Sequence, residues 1–326
     1  MISATPASRY LIGTIPLYSC LIVLGALIAV ILAVHEEKII GLKKDTVLDL
    51  ALWVLPMGII GARIYYVAFS WKDFQNNLSS IFRIWEGGIA IYGALIAGLI
   101  TILLFSRSRK MNPLTLCDIV APGVILAQAI GRWGNYFNME AYGAAVVNPA
   151  LQFFPFAVMI PSDTATPWHM ATFFYESTWN LMVFVFLFIA RRKLLRKTGD
   201  VLFFYAFLYA CGRLIVEDFR TDSLYASSSV RISQLLSVLI CIGLLIWYFR
   251  LYGKKNRIGS VLFLLSLLYS LPVLGYSLDI VLHPSEMNLV SHFILLGTFA
   301  FLNIVTLFVL YGKSSPDEVI YAVHKA

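Results

Sequence analysis

The feature that most limits how this chain can fold is a succession of apolar runs long enough to cross a lipid bilayer. A hydrocarbon core roughly 30 Å thick takes about 20 residues of helix. Nine stretches meet or approach that length: 10–34, 47–69, 87–105, 116–131, 172–190, 201–216, 232–249, 258–281 and 289–311. In lipid, a lone segment can satisfy its backbone donors and acceptors only as a helix. The sequence therefore predicts an all-α, polytopic helical membrane protein. Composition agrees, with 60% hydrophobic and 13% charged residues and a mean hydropathy of +0.80; soluble domains are about half apolar and a quarter charged. The first run is not read as a cleavable signal. It is too long, and it leads into His35, Glu36, Glu37 and Lys38 instead of small residues.

The net charge of +7 raises the possibility of a nucleic-acid partner, and the positions of the basic residues remove it. With the N-terminus outside, 17 of the 25 Lys and Arg fall in inner loops and 7 in outer ones. That is the bias the positive-inside rule asks of nine spans. No basic run interleaved with stacking aromatics remains for nucleic acid. The four cysteines, Cys20, Cys117, Cys211 and Cys241, lie inside apolar runs without metal-ligand spacing, and are expected to be small buried hydrophobes.

Two further features organise the chain. The longest stretch outside the runs, about 132–171, carries Pro149, Pro155, Pro161 and Pro167 and is predicted to be an outer, non-helical segment. Within it, 151–161 is apolar yet too short to span, so it is expected at the bilayer surface. After Leu251 come two clean apolar runs, which read as packing. The expected division is a core at 1–252 and a C-terminal extension at 253–326.

Charges near the ends of spans are the best functional candidates, because an ionised group at membrane depth is costly unless it pairs or lines a wet cavity. GRWGNYFNMEAYG, 131–143, sets Arg132, Asn135, Asn138 and Glu140 among glycines where the fourth run ends. A helix end meeting water needs fewer polar groups than this. YACGRLIVEDFRTD, 209–222, sets Tyr209, Arg213, Glu217 and Arg220 at helical spacing on one face. EGGIAIYGALIAG, 86–98, opens the third run with paired glycines and Tyr92; glycines so spaced also serve simple close helix packing. Arg63 falls inside the second run, where a structural partner and a substrate contact are both open readings. Glu176 and Asp118 are single carboxylates near span ends, expected to act as caps or dipole partners.

In order and spacing these stretches resemble the signatures of the prolipoprotein diacylglyceryl transferase family, over most of residues 10–250. Arg132, Asn135, Asn138, Glu140 and Gly143 fall on its diagnostic motif. Tyr209, Arg213 and Glu217 fall on its Tyr-x-x-x-Arg-x-x-x-Glu stretch, Tyr18 on its first-span tyrosine and Arg63 on its Gly-x-Arg. Tyr92 stands where many members carry a histidine proposed as a base, and Met170 and Ala171 stand where many read Pro and Thr/Ser.

The resemblance implies a seven-span core, exceeded here by two C-terminal helices, in a bacterial cytoplasmic (inner) membrane with the active site toward the outer leaflet. It implies transfer of a diacylglyceryl group from phosphatidylglycerol to the cysteine thiol of a prolipoprotein signal peptide. Glycerol phosphate is released, and no cofactor or metal is needed. Arg132 and Arg213 are then expected to converge on phosphate, with Glu140 and Glu217 orienting them. Asn135, Asn138 and Tyr209 are expected to hold the head group or the ester oxygens, and Tyr92 or a nearby carboxylate to take the thiol proton. A lipid transporter or flippase is the competing reading. An intramembrane protease is disfavoured by the lack of GxSG, GxGD and HExxH.

Overall fold

The computed structural model describes residues 8–11, 13, 15–161, 167–195, 197–220, 232–253, 256–282 and 289–312. Each of the nine apolar runs is a helix: α1 (Leu17–Ile39), α2 (Thr46–Phe69), α4 (Ile91–Ser108), α5 (Pro113–Asn138), α6 (Thr172–Lys193), α7 (Asp200–Phe219), α8 (Ile232–Tyr252), α9 (Arg257–Leu282) and α10 (Leu289–Gly312), with a single short turn, α3 (Trp71–Phe74), after α2. Among the described residues seven helices are long and apolar enough to cross a membrane, so the protein is a multi-pass membrane protein.

Lipid tails are as apolar as leucine, so helices in a bilayer associate through close contact and polar pairing more than through hydrophobic burial. Both devices are visible. Where α2 crosses α4, a Cβ on Gly61 would lie 2.3 Å from Ala97 Cβ and one on Gly93 would lie 2.3 Å from the Gly61 carbonyl oxygen. The glycine spacing of the third run thus serves packing. Polar anchors sit at the ends rich in Lys and Arg. Glu36 is buried and pairs with Arg191 at 3.1 Å and with both Nη atoms of Arg192. The Glu37 carboxylate accepts from the backbone N–H groups of Asp45 and Val47, at 2.9 and 2.6 Å, and caps α2. Asp118 does the same for α7, accepting from Gly199 at 2.6 Å and Leu202 at 2.9 Å, as expected of a capping carboxylate.

The main apolar cluster runs through α6, α7, α8 and α10, with Phe204, Phe207, Leu245 and Leu307 fully buried. Tyr311 of α10 donates to Asp200 Oδ2 at 2.6 Å and to the Leu194 carbonyl at 3.1 Å, and Tyr248 donates to Asp200 Oδ1 at 3.1 Å. One buried carboxylate thereby ties the last helix to the core.

The segment after α5 adds a small antiparallel ribbon to the helical fold. Strand β1 (Ala157–Met159) pairs with β2 (Trp168–Met170), Val158 opposite His169. The chain at 143–146 adds to the other edge of β2, with Gly143 N–H donating to the Met170 carbonyl at 2.9 Å and Val146 N–H to that of Trp168 at 2.7 Å. Val158 and Ile160 pack with Tyr136 and Phe173, so the apolar stretch 151–161 covers the ends of α5 and α6.

Candidate active site

Three helix ends build the site. Asn112 caps α5, its Oδ1 accepting from Leu114 N–H at 2.9 Å, and Pro113 occupies the first turn, where no N–H is needed. The helix ends where Met139 turns left-handed at φ 52°, and Ala141 follows at φ 53°. Non-glycine residues pay about 1–3 kcal/mol for such backbone, and it concentrates at functional sites. Here the two turns bend Glu140 back over the helix it follows. Its Oε1 accepts from Asn135 Nδ2 at 3.1 Å and Asn138 Nδ2 at 3.2 Å. Thr172 Oγ1 pins the bend by donating to the Ala141 carbonyl at 2.6 Å.

Gly143 then passes between two elements with no room to spare. A Cβ there would meet the Phe219 carbonyl oxygen at 2.6 Å and Met170 Cβ at 2.9 Å, so only glycine fits. That passage bridges Gly143 to Arg220 at the end of α7 and joins the two sequence clusters through backbone.

The centre of the site is Glu176, in the second turn of α6 and 3% exposed. Arg132 Nη2 lies 2.7 Å from its Oε1 and Arg213 Nη1 lies 3.2 Å from its Oε2. Arg220 Nη1 stands 4.0 Å from the same Oε2. Arg213 also pairs with Glu217 one turn along α7. Arg132 extends the network to Asn135 Oδ1 at 3.4 Å and lies within the electrostatic reach of Tyr209. Tyr18 of α1 packs on Gly134, within the field of Arg132 and Glu140. Ten of the residues singled out in the sequence thus form or adjoin one network: Tyr18, Arg132, Asn135, Asn138, Glu140, Gly143, Tyr209, Arg213, Glu217 and Arg220.

The geometry redistributes the expected partnerships. Glu217 orients Arg213 directly, whereas Glu140 reaches Arg132 through Asn135. Glu176, expected to be a cap, orients Arg132 instead. Sequence spacing does not reveal this, because a carboxylate one turn into α6 has no arginine at helical spacing; its arginine partners come from α5 and from the end of α7. Its depth in an apolar run was the available signal.

Arg63 and Tyr92 stand apart from the network, on the α2–α4 face. Arg63 is 7% exposed and donates to four carbonyls, those of Ser80, Ile81, Gly87 and Gly88, each at 2.7–2.8 Å. It clamps the loop that precedes α4. Tyr92 sits in the first turn of α4 with its ring centroid 6.4 Å from that of Tyr65. Among the described residues, no group of three or more His, Cys, Asp or Glu is placed to hold a metal ion.

Three arginines gathered around one buried carboxylate, at the end of an apolar helix bundle, define a membrane-embedded site suited to an anionic group at the bilayer boundary. The family model for prolipoprotein diacylglyceryl transferase matches residues 9–250, and the chain belongs to that family. The phosphatidylglycerol--prolipoprotein diacylglyceryl transferase of Streptococcus equi subsp. equi (strain 4047) is 44% identical over 240 residues, 73% of this chain and 92% of its own length. Proteins of the same name are 46% identical in Streptococcus suis (strain 05ZYH33), over 70% of this chain and 85% of theirs, and in Streptococcus agalactiae serotype Ia, over 72% and 90%. These names support the transferase reading and not the transporter one.

Proposed function

We propose that the protein transfers the diacylglyceryl group of phosphatidylglycerol to the lipobox cysteine of a prolipoprotein signal peptide, forming a thioether. The observation that carries this is the convergence of Arg132 and Arg213, from separate helices, on the two oxygens of Glu176. A carboxylate and a phosphate present the same fork to guanidinium, so a pair held this way is preorganised for a phosphodiester.

In the reaction the substrate thiolate attacks the glyceryl carbon, the C–S bond forms, and the C–O bond to phosphate breaks with its electron pair passing to oxygen. Glycerol phosphate leaves. The leaving phosphate gains negative charge as the bond breaks, and Arg132 and Arg213 stabilise that charge where it develops. Glu176 and Glu217 fix the two guanidiniums, while Asn135, Asn138 and Tyr209 hydrogen-bond the head group. Glu140 or Tyr92 takes the thiol proton.

The site faces the outer leaflet of a bacterial cytoplasmic membrane, N-terminus outside. The Lys and Arg of the expected inner loops flank the opposite helix ends, at 38–44, 107–110 and 191–193, which supports this orientation.

The test is to replace Arg132 or Arg213 by Lys and follow the mass of a lipobox peptide incubated with phosphatidylglycerol vesicles. Lysine keeps the charge and loses the planar fork, and activity falls ~10²–10³-fold, the scale of losing one transition-state donor. Full activity in both variants would remove the proposal.

A further inference from the structure

A fourth arginine reaches this site from outside the motifs. The chain preceding α1 folds back on the helix as a tight hairpin. Leu17 N–H donates to the Arg9 carbonyl at 3.1 Å, Leu11 N–H donates to that of Ile15 at 2.9 Å, and Tyr10 bridges Pro16. Ser8 closes the end, its Oγ accepting from Tyr10 N–H at 3.0 Å and donating to the Tyr10 carbonyl at 2.7 Å. The first turn of α1 is itself held against α5, because the Tyr18 ring fills the space a side chain on Gly134 would need, 2.5 Å away. The hairpin thereby carries Arg9 to the last residue of α5. Arg9 Nε donates to Asn138 Oδ1 at 3.1 Å, and Asn138 in turn grips Glu140.

The contact uses only the inner nitrogen of the guanidinium. Arg9 is exposed, and among the described residues its two terminal amino groups have no hydrogen-bond partner. Beneath it Arg132 and Arg213 share Glu176, Glu217 pairs with Arg213, and Arg220 stands 4.0 Å from Glu176. Arg9 is more exposed than Arg132, Arg213 or Arg220, so it is the outermost of the four to an approaching phosphodiester, and the Nε contact aims its fork without consuming it.

We infer that Arg9 is a substrate-binding residue that captures the phosphodiester of the lipid head group at the mouth of the site, before the phosphate passes to Arg132 and Arg213. This rests on the proposed transfer reaction and adds a residue to it. A surface cation near a lipid head group shifts affinity modestly and in a salt-dependent way.

The experiment compares the full-length wild type with Arg9→Gln and Arg9→Lys in vesicles of varied phosphatidylglycerol content, at low and high salt. Thioether formation on a lipobox peptide is read as kcat and KM. Arg9→Gln is expected to raise KM ~3- to 10-fold with most of kcat kept, and to flatten the rise of KM with salt; Arg9→Lys falls between. A KM and salt response equal to wild type would overturn the inference, as would a loss confined to kcat. Product inhibition by added glycerol phosphate separates the two sources of phosphate: inhibition weakened by Arg9→Gln with KM unchanged would place the contact on the leaving group and overturn capture of the lipid. If wild type itself forms no thioether, the transfer reaction falls; if it does and Arg9→Gln matches it, only the role of Arg9 falls.

Discussion

Arg132 and Arg213 lie 81 positions apart on different helices and hold opposite oxygens of one carboxylate, that of Glu176, at 2.7 and 3.2 Å. Glu176 is the partner the two guanidiniums have in common, while Arg213 is also held by Glu217 and Arg132 also meets Asn135. The buried glutamate is therefore the positioning residue of the pair.

Replacing Glu176 by Gln keeps its shape and removes the charge. Transfer is expected to fall at least ~10-fold, because two like-charged guanidiniums no longer share a counter-ion. Glu176→Ala is expected to cost ~3–5 kcal/mol of stability, the range for breaking a buried pair by removing one partner. Thioether formation and thermal unfolding in detergent measure the two effects. Wild-type turnover in Glu176→Gln would show that the arginines hold their geometry unaided.

Tyr92 and Glu140 make opposite predictions as acceptors of the thiol proton. Glu140 lies in the network through Asn135, while the ring of Tyr92 packs beside Tyr65. Tyr92→Phe keeps that packing and is expected to retain activity within a few-fold. Glu140→Gln is expected to lose ~10²-fold or more, the usual worth of a general base. The size of the two losses decides: the variant that falls ~10²-fold or more has lost the acceptor, and an equal small loss in both would leave neither residue as the base.

Close packing of α2 on α4 predicts a sharp contrast between two glycines. Gly61→Ala pushes a methyl into Ala97 and the Gly93 carbonyl, and is expected to destabilise by ~1–3 kcal/mol. Gly243 of α8 has open space where a Cβ would go, so Gly243→Ala is expected to be neutral or to gain ~0.5–1 kcal/mol from helix propensity. Thermal unfolding of the two proteins in one detergent tests the contrast. Equal melting temperatures would mean that the helices slide apart freely.

The last helix is predicted to contribute stability without entering the chemistry. Tyr311→Phe removes hydrogen bonds to Asp200 and the Leu194 carbonyl and leaves the Tyr248 hydroxyl on that carboxylate. The expected cost is ~1–3 kcal/mol, with kcat and KM unchanged. A change in kcat at constant stability would assign the C-terminal helices a part in turnover.

What the sequence settled by itself follows from local physics. Nine apolar runs are nine helices because lipid offers an unpaired backbone no alternative. The polar residues of 131–143 and 209–222 could be singled out for the same reason, since charge at the end of a span has to be accounted for within a few turns.

Tertiary structure decided the rest. Only the packing of α5, α6 and α7 turns Glu176 from a solitary carboxylate into the shared partner of two arginines, and only the hairpin before α1 brings Arg9 to Asn138. Arg63 had two open readings because a guanidinium looks the same in sequence whether it meets a phosphate or, as here, four carbonyls of a loop. Spacing along a chain encodes which residues share a helix face. It carries no information about which faces of separate helices meet, because that depends on the shape complementarity of whole surfaces.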